Sequence, residues 1–339
     1  MRASEPWLNW HDKLHRQLLQ NPQLLPEGST LLLAISGGQD SMALLGLLRD
    51  LCRRHRWTLE LWHGDHGWHP GSARIARELG EWCQSQQLRL HISSSTRSST
   101  GSEAKARQWR YAQLQQVCQE LNRKNIGDHC HTVVTGHTAS DRSESLLLQL
   151  SRGTDLAGLG NLRWERALNA KAADDIRLVR PLLLFNREDT AAICEDLQLP
   201  IWPDPSNSDP GFDRNRIRQE VLPVLEALHP GCSRRMAELS ERVSQVQDTQ
   251  NALVKLSLDH LQREDSALKR PPLQQLPASA RRLVLHGWLQ AQGMPSLPAR
   301  QLKELSAAIG PRQPPGERHL AGGKRFHWCR DWVQLEDKS

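Results

Sequence analysis

The segment Ser36–Ser41, Ser-Gly-Gly-Gln-Asp-Ser, places two hydroxyl groups, two glycines and one carboxylate next to each other. Gly37 and Gly38 let the backbone turn tightly and approach a ligand, so the amides at the following helix start converge on an anion that the helix dipole also favours. The segment lacks the G-x-x-x-x-G-K-[ST] pattern of the lysine-containing phosphate loop. We expect it to bind phosphate in another way; the alternative is an ordinary strand-to-helix turn capped by Asp40 or Ser41.

Two carboxylates, Asp141 and Glu144, stand three residues apart at the predicted start of another helix. At this spacing they point the same way, and paired carboxylates can hold a cation, either Mg²⁺ or an amine. The alternative stays open, because Thr138 followed three residues later by Asp141 is also typical of a capping box.

Arginines recur at helical spacing in two segments. Arg107 and Arg110 share one helix face with Tyr111 nearby, a set that could contact a phosphate and a base. Arg214 and Arg218 also share a face, and they resemble a phosphate clamp more than a salt-bridged surface. For the first segment, a solvated basic stripe is the alternative.

Strands alternate with helices around these residues, which predicts parallel β-α-β units. The expected strands cover 30–35, 58–63, 88–93, 132–135 and 177–184, and each chemical motif follows a strand. In such sheets ligands bind at the carboxyl edge of the strands. The His-Gly-Asp-His-Gly turn that includes His63 and His66 falls on that edge. It lacks the spacing of a metal site, as does the group His129–His137, so we interpret these as loop histidines, those of the turn near a nucleotide pocket.

Composition restricts the class of protein. The chain has 339 residues, a mean hydropathy of −0.61 and no long apolar run, so we expect no membrane span and a cytoplasmic location. The net charge of +6 suggests a polyanionic partner such as nucleic acid. Seven cysteines without a C-x-x-C pattern predict reduced thiols.

Three segments are expected along the chain. An amphipathic N-terminal helix in 1–28 precedes an α/β domain over 29–210, which ends in a linker rich in proline, serine and asparagine. A mainly helical domain with a short C-terminal tail follows over 211–339. Within it, a long helix over about 233–262 carries an apolar stripe that we interpret as a packing face.

Five motifs taken together resemble one family. SGGQDS, HGDHG, EAKARQWRY, TGHTASDRSES and DRNRIRQEVLP stand in an order that is similar to the tRNA(Ile)-lysidine synthases, which are PP-loop ATP pyrophosphatases. The likeness covers about 29–231. It implies a Rossmann-like five-stranded parallel sheet with helices on both faces, followed by a helical substrate-binding domain. The implied reaction splits ATP to AMP and pyrophosphate and ligates free L-lysine to C2 of cytidine 34 in the CAU anticodon of tRNA(Ile).

The resemblance also implies roles for particular residues. Asp40, Asp141 and Glu144 are implied to be catalytic, with Asp40 placing Mg²⁺. The implied ATP-binding residues are Ser36, Gly37, Gly38, Gln39, Asp40, Ser41 and His66. Lysine would contact Arg110, Asp141 and Glu144, and tRNA would contact Arg107, Arg214 and Arg218.

Some points stay open at this stage. Trp68, His69, Arg142 and Ser143 depart from the family pattern, which affects the expected RNA contacts more than the ATP loop. A tRNA thiolase of the same loop family would need paired cysteines, and the sequence offers none close together. A small-molecule amidating synthetase is the other alternative, and the oligomeric state, including a homodimer, is undetermined.

Overall fold

A computed structural model describes residues 7–67, 71–95, 103–124, 129–160, 162–169, 174–204 and 211–337. The chain divides into two compact units, Met1–Ser244 and Gln245–Ser339. The departures at Trp68 and His69, and most of the predicted linker, lie outside the described residues.

The first unit is built on a six-stranded sheet. Its strands are β1 (Thr30–Ala34), β2 (Thr58–Asp65), β3 (Leu90–Ser94), β4 (Thr132–Thr135), β5 (Glu165–Ala167) and β6 (Arg177–Val179). They lie in the order β3-β2-β1-β4-β6-β5, with every neighbouring pair parallel except β5 and β6. Strand order therefore reverses at β1, which lies next to β4.

Helices connect and cover these strands. The helices of the first unit are α1 (Asn9–Gln20), α2 (Gln39–His55), α3 (Ser72–Ser85), α4 (Glu103–Lys124), α5 (Ala139–Arg152), α6 (Leu156–Leu159), α7 (Arg187–Asp196), α8 (Asp213–Arg216) and α9 (Leu222–Leu228). A π-helical turn, Ile217–Val221, joins α8 to α9, and α10 (Cys232–Leu261) contains the boundary between the units.

Two apolar cores cover the two faces of the sheet. Leu31 and Leu33 of β1 belong to a core with α1, α2, α3 and α7, whereas Leu32 packs with α4 on the other face. The alternation follows from the two-residue period of a strand. Each fully buried leucine stabilises the fold by about 2 kcal/mol. The carboxyl end of β1 is thereby fixed between two layers.

The second unit has a core of its own. After α10 come β7 (Leu268–Lys269), α11 (Arg270–Gln275), α12 (Ala278–Ala291), α13 (Ala299–Ala308), β8 (Gly316–Leu320), β9 (Lys324–Trp328) and β10 (Trp332–Asp337). The four strands form an antiparallel sheet in the order β7-β10-β9-β8. Trp288 is 1% exposed, and its Nε1 donates to the Ser266 carbonyl oxygen at 2.8 Å. Within the described ranges, no helix is long and apolar enough to cross a membrane.

The five predicted parallel strands are confirmed, with two additions and one difference in length. β5 joins as a sixth, antiparallel strand, and the tail forms most of a four-stranded sheet where a short hairpin was expected. The strand expected over 177–184 ends at Val179, since Pro181 has no amide to donate to a ladder and residues 181–184 form a turn.

The structure differs from two further expectations, the domain boundary and the packing face of the long helix. Residues 211–244, assigned by sequence to the second domain, group with the first unit, because Ser240 and Ser244 of α10 donate to the carbonyl oxygens of Leu159 and Gly160. The predicted apolar stripe of α10 is largely exposed, with Leu253 58% accessible. The apolar side chains of α10 that pack on the second core are Val254, Leu258 and Leu261.

Candidate active site: a cleft at the switch point of the sheet

A cleft of about 530 Å³ opens where the strand order reverses, between the carboxyl ends of β1 and β4. The lining includes most of the residues predicted from the sequence, namely Ser36, Gly38, Gln39, Asp40, Ser41, His66, Arg110, Asp141 and Arg218. The remaining predicted residues, Gly37, Arg107, Glu144 and Arg214, are not part of this lining. The parallel sheet has brought together segments more than one hundred residues apart.

The loop after β1 is tightly constrained. Gly37 has φ +82°, a conformation that favours glycine, and its carbonyl oxygen accepts the Trp202 amide at 2.9 Å. The Ser36 amide donates to Ser41 Oγ at 3.2 Å, and Ser41 Oγ donates to the Gly38 carbonyl oxygen at 2.8 Å. α2 begins at Gln39, so its first amides lie at the cleft and can receive an anion.

Asp40 lies in the first turn of α2 and is held by α7. The Thr190 hydroxyl donates to Asp40 Oδ1 at 2.5 Å, and the Arg187 guanidinium lies 3.7 Å from Oδ2. Burial raises the pKa of Asp40, while Thr190 and Arg187 act in the opposite direction. Gln39 turns its side chain away from a phosphate, because its amide donates to the Arg187 carbonyl oxygen at 2.6 Å. Only its backbone is then suited to the predicted ATP contact.

The opposite wall combines His66 and Arg110. Arg110 donates to His66 Nε2 at 3.4 Å, and the His66 ring lies edge-on to Trp109 at 4.9 Å. Burial, with the charges of Arg110 and His63, lowers the pKa of His66 to about 4. The imidazole is therefore neutral at neutral pH and can pack against a nucleotide base.

Asp141 and Glu144 have different environments, contrary to the expectation that they point the same way. Asp141 Oδ2 accepts from the amide and the hydroxyl of Thr138, at 2.8 and 3.0 Å, so the capping box forms. Burial alone would raise the pKa of Asp141, but His137, Arg214 and Thr138 hold it below its usual value. Asp141 still lines the cleft as a charged group.

Glu144 is covered by arginines that the sequence assigned to tRNA. Its side chain is 1% exposed, and Arg218 donates to its two oxygens at 2.6 and 2.9 Å. Arg214 lies 3.9 Å away and also donates to Ser145 Oγ at 2.9 Å. Burial raises the pKa of Glu144 despite these partners. Arg216, two residues before Arg218, points away from Glu144 and pairs with Glu220 at 2.9 Å.

Sequence reasoning missed several groups at this site, above all Arg187, Thr190 and Trp202. Arg187 opens α7 and its amide donates to Ser140 Oγ, which places it on the ligand-bearing edge. In the sequence, Asn186 followed by Glu188 and Asp189 predicts a capped helix start, and the structure confirms it, because Asn186 Oδ1 accepts the Asp189 amide at 2.7 Å. That cap was the signal that the side chains of the next turn would also face the cleft.

The cysteines form one close pair that the sequence did not indicate. Cys118 Sγ and Cys130 Sγ lie 3.6 Å apart, both fully buried in the core beneath α4. All seven cysteines are free thiols, as predicted. Within the described chain, no cluster of three metal-binding side chains occurs.

Comparisons with known proteins agree with this geometry. Residues 10–225 match the family model described as PP-loop domain, and 268–331 match the TilS substrate binding domain. The fold is similar to that of the U34-tRNA thiolase NcsA from Methanococcus maripaludis, with TM-score 0.51, 18% identity and coverage of 69% of this chain and 78% of that one.

Curated relatives match nearly the whole chain. A tRNA(Ile)-lysidine synthase of Parasynechococcus marenigrum (strain WH8102) is 55% identical over 330 residues, which cover 97% of this chain and 95% of the relative. Another from Prochlorococcus marinus (strain NATL1A) is 41% identical over 328 residues, which cover 96% of this chain and 99% of the relative. The chain therefore belongs to the tRNA(Ile)-lysidine synthase family of PP-loop proteins.

Proposed function

We propose that this protein ligates free L-lysine to C2 of cytidine 34 in the CAU anticodon of tRNA(Ile). The O2 oxygen of the cytosine attacks the α-phosphate of ATP, and pyrophosphate leaves. The ε-amine of lysine then attacks C2 and displaces AMP, which carries O2 away. The observation that carries this proposal is the cleft itself, which joins a phosphate-binding loop to the carboxylate of Asp141 in one cavity.

The loop after β1 supports the pyrophosphate part of the reaction. The amides at the start of α2 and the hydroxyl group of Ser36 lie at the cleft, where a leaving anion would be bound, whereas the Ser41 hydroxyl donates within the loop. Such preformed donors stabilise charge as it develops and need no reorganisation during the reaction. Arg187 adds a positive charge that the loop, which has no lysine, does not supply.

Asp40 fits the proposed magnesium ion. Its side chain is 19% exposed in the cleft and offers carboxylate oxygens next to the phosphate loop. Mg²⁺ is commonly held by one or two carboxylates together with substrate phosphates, so a larger protein cluster is not required. When bound, the ion would neutralise phosphate charge.

Asp141 is the better placed of the two carboxylates for lysine. Its hydrogen bonds within the described chain go to Oδ2, and its lowered pKa keeps it ionised for an ammonium partner. Glu144 would act indirectly, by holding Arg218 in the cleft lining. Arg110 would bind the lysine carboxylate. Lysine must also lose a proton before it attacks C2, and a cleft carboxylate is the candidate base.

The test uses purified protein, Mg²⁺, ATP, labelled lysine and an unmodified tRNA(Ile) transcript with the CAU anticodon. We expect lysine to enter the RNA and to fail to enter a matched transcript with uridine 34. ATP cleavage without RNA would favour a small-molecule synthetase. Sulfur incorporation that is lost when Cys118 and Cys130 are replaced by serine would favour a thiolase.

A further inference from the structure

Two arginines from distant segments contact the single tyrosine of the chain. Arg107 Nε of α4 donates to the Tyr111 hydroxyl at 3.0 Å, and its guanidinium carbon lies 5.5 Å from the ring centre. The guanidinium carbon of Arg166, on β5, lies 4.8 Å from the same ring centre. β5 was not expected from the sequence, and Arg166 is not among the site residues that the sequence predicts.

Among the residues that the structure describes, no carboxylate balances the charges of Arg107, Arg166 and the neighbouring Arg180. Arg166 donates to the carbonyl oxygens of Ala167 and Leu168, and the buried Arg180 donates to the Arg163 carbonyl oxygen. In the part of the chain that the structure describes, neither of them, nor Arg107, pairs with a carboxylate. Burial, with the charges of Arg166 and Arg107, lowers the pKa of Arg180 to about 10.

Unbalanced positive charges repel each other, so a fold retains them most readily where an anion neutralises them. The cluster is also linked to the cleft. Arg110, which lines the cleft, follows Arg107 on the same face of α4, and the charge of Arg180 also acts on His137 in the cleft lining. An RNA whose target base enters the cleft brings its neighbouring phosphates to the surface around the cleft, and Arg107 is exposed there, three residues before Arg110 on α4.

We propose that Arg107, Arg166 and Tyr111 bind a backbone phosphate of the tRNA anticodon loop next to the nucleotide in the cleft. This inference rests on the proposed function for the identity of the RNA. The two guanidinium groups neutralise the phosphate, and their contacts with the tyrosine orient them. The contact does not depend on the RNA sequence, and it positions the anticodon loop on the protein.

The test measures the affinity of unmodified tRNA(Ile) transcript at several salt concentrations. Each lost phosphate contact lowers the slope of log affinity against log salt by about 0.7 for single-stranded RNA. Because both arginines bind the same phosphate, we expect the double variant Arg107→Gln/Arg166→Gln to lower the slope by that amount and each single variant to lower it by part of it. Binding of the double variant should be about fivefold weaker near ~0.1 M salt. Arg166→Lys, which keeps the charge, should keep the slope.

Arg74→Gln is the matched control, because Arg74 is exposed on α3 and already faces Glu78 at 3.7 Å. It should leave the slope unchanged. Arg107 is exposed, so Arg107→Gln reports on binding even if Arg166→Gln folds poorly. Wild-type slopes in folded Arg107→Gln and Arg166→Gln would overturn the proposal, as would a lower melting temperature of Arg166→Gln with the slope unchanged.

The two proposals fail in different ways. Wild-type slopes in both variants, with lysine transfer by the wild-type protein intact, would remove only the phosphate site. A wild-type protein that binds this RNA with an arginine-dependent slope but transfers no lysine would contradict the proposed function and support the phosphate site.

Discussion

Glu144 and Arg218 form one unit, although their positions in the sequence suggest two different ligands. The carboxylate is 1% exposed and the guanidinium 23%, and two hydrogen bonds join them. A buried charge left without its partner is costly, whereas removing both charges is not. Substitutions at either residue therefore change the environment of the other, and single variants alone do not assign a role.

Removal of Arg218 should destabilise the protein more than removal of both charges. We expect Arg218→Met to lower the free energy of unfolding by about 3 kcal/mol, and the double variant Arg218→Met/Glu144→Gln to recover part of that loss. Urea unfolding measures both. Arg216→Met is the control, since Arg216 makes an exposed pair with Glu220 in the same segment, and it should change nothing measurable. A double variant as unstable as the sum of its singles would contradict the buried pair.

His66 should make stability depend on pH below neutrality. Its pKa in the folded protein is about 4, below the ordinary value of 6.5, so the unfolded chain takes up the proton first as the pH falls. Stability from this group is complete above pH 6.5 and is lost as the pH falls toward 4. His66→Gln should flatten the curve in that window, and His229→Gln, at an exposed position, should not. Parallel curves for the wild type and His66→Gln would be the contrary result.

At the scale of elements, the site depends on the close meeting of the turns that follow β1 and β4. A Cβ atom added at Gly136 would lie 2.8 Å from the Asp40 carbonyl oxygen, which belongs to the backbone and cannot move aside cheaply. The phosphate loop, Ser36–Ser41, and the turn after β4 can therefore approach this closely only because residue 136 has no side chain.

Gly136→Ala should displace the phosphate loop. We expect a loss of about 1–3 kcal/mol in the free energy of unfolding and a much weaker affinity for a non-hydrolysable ATP analogue. Gly80→Ala is the control, because an added Cβ inside α3 meets Ile92 Cδ1 at an ordinary 3.6 Å. It should be neutral or stabilising by up to about 1 kcal/mol. Normal analogue affinity in Gly136→Ala would contradict this close approach.

Periodicity and turn residues predicted the parallel strands and the capped start of α7, because those signals are local. β5 was missed since Glu165–Ala167 is too short to alternate, and its pairing with β6 is tertiary. The burial of Glu144 depends on Arg218, which lies in a π-helical turn more than seventy residues away. Cys118 and Cys130 also come together through tertiary packing, which their spacing in the sequence does not indicate. These three contacts depend on the tertiary structure, and the spacing of residues in the sequence does not predict them.

At the scale of the molecule, the two units keep separate cores. The cleft is lined by residues of the first unit alone, whereas Trp288 and Phe326 pack in the second. The match of 268–331 to a substrate-binding domain favours a division of labour, in which ATP is bound by one unit and part of the tRNA by the other.

Trp288→Ala should change the affinity for tRNA without changing the affinity for ATP. The lost side chain is almost fully buried, so we expect about 3–5 kcal/mol of destabilisation in the second unit. tRNA affinity should fall while the affinity for the ATP analogue stays at the wild-type value. Leu283→Ala on the same helix, at a position 38% exposed, is the control and should keep both affinities. A parallel fall in analogue affinity would contradict independent cores.

In the proposed reaction, ATP activates the cytosine oxygen itself. The most direct measurement supplies tRNA(Ile) with oxygen-18 at O2 of cytidine 34 and follows the mass of the AMP released during lysine transfer. We expect AMP that carries the heavy oxygen, because the bond between O2 and phosphorus forms before the bond between C2 and O2 breaks. AMP of ordinary mass, formed together with the lysine-modified RNA, would contradict it.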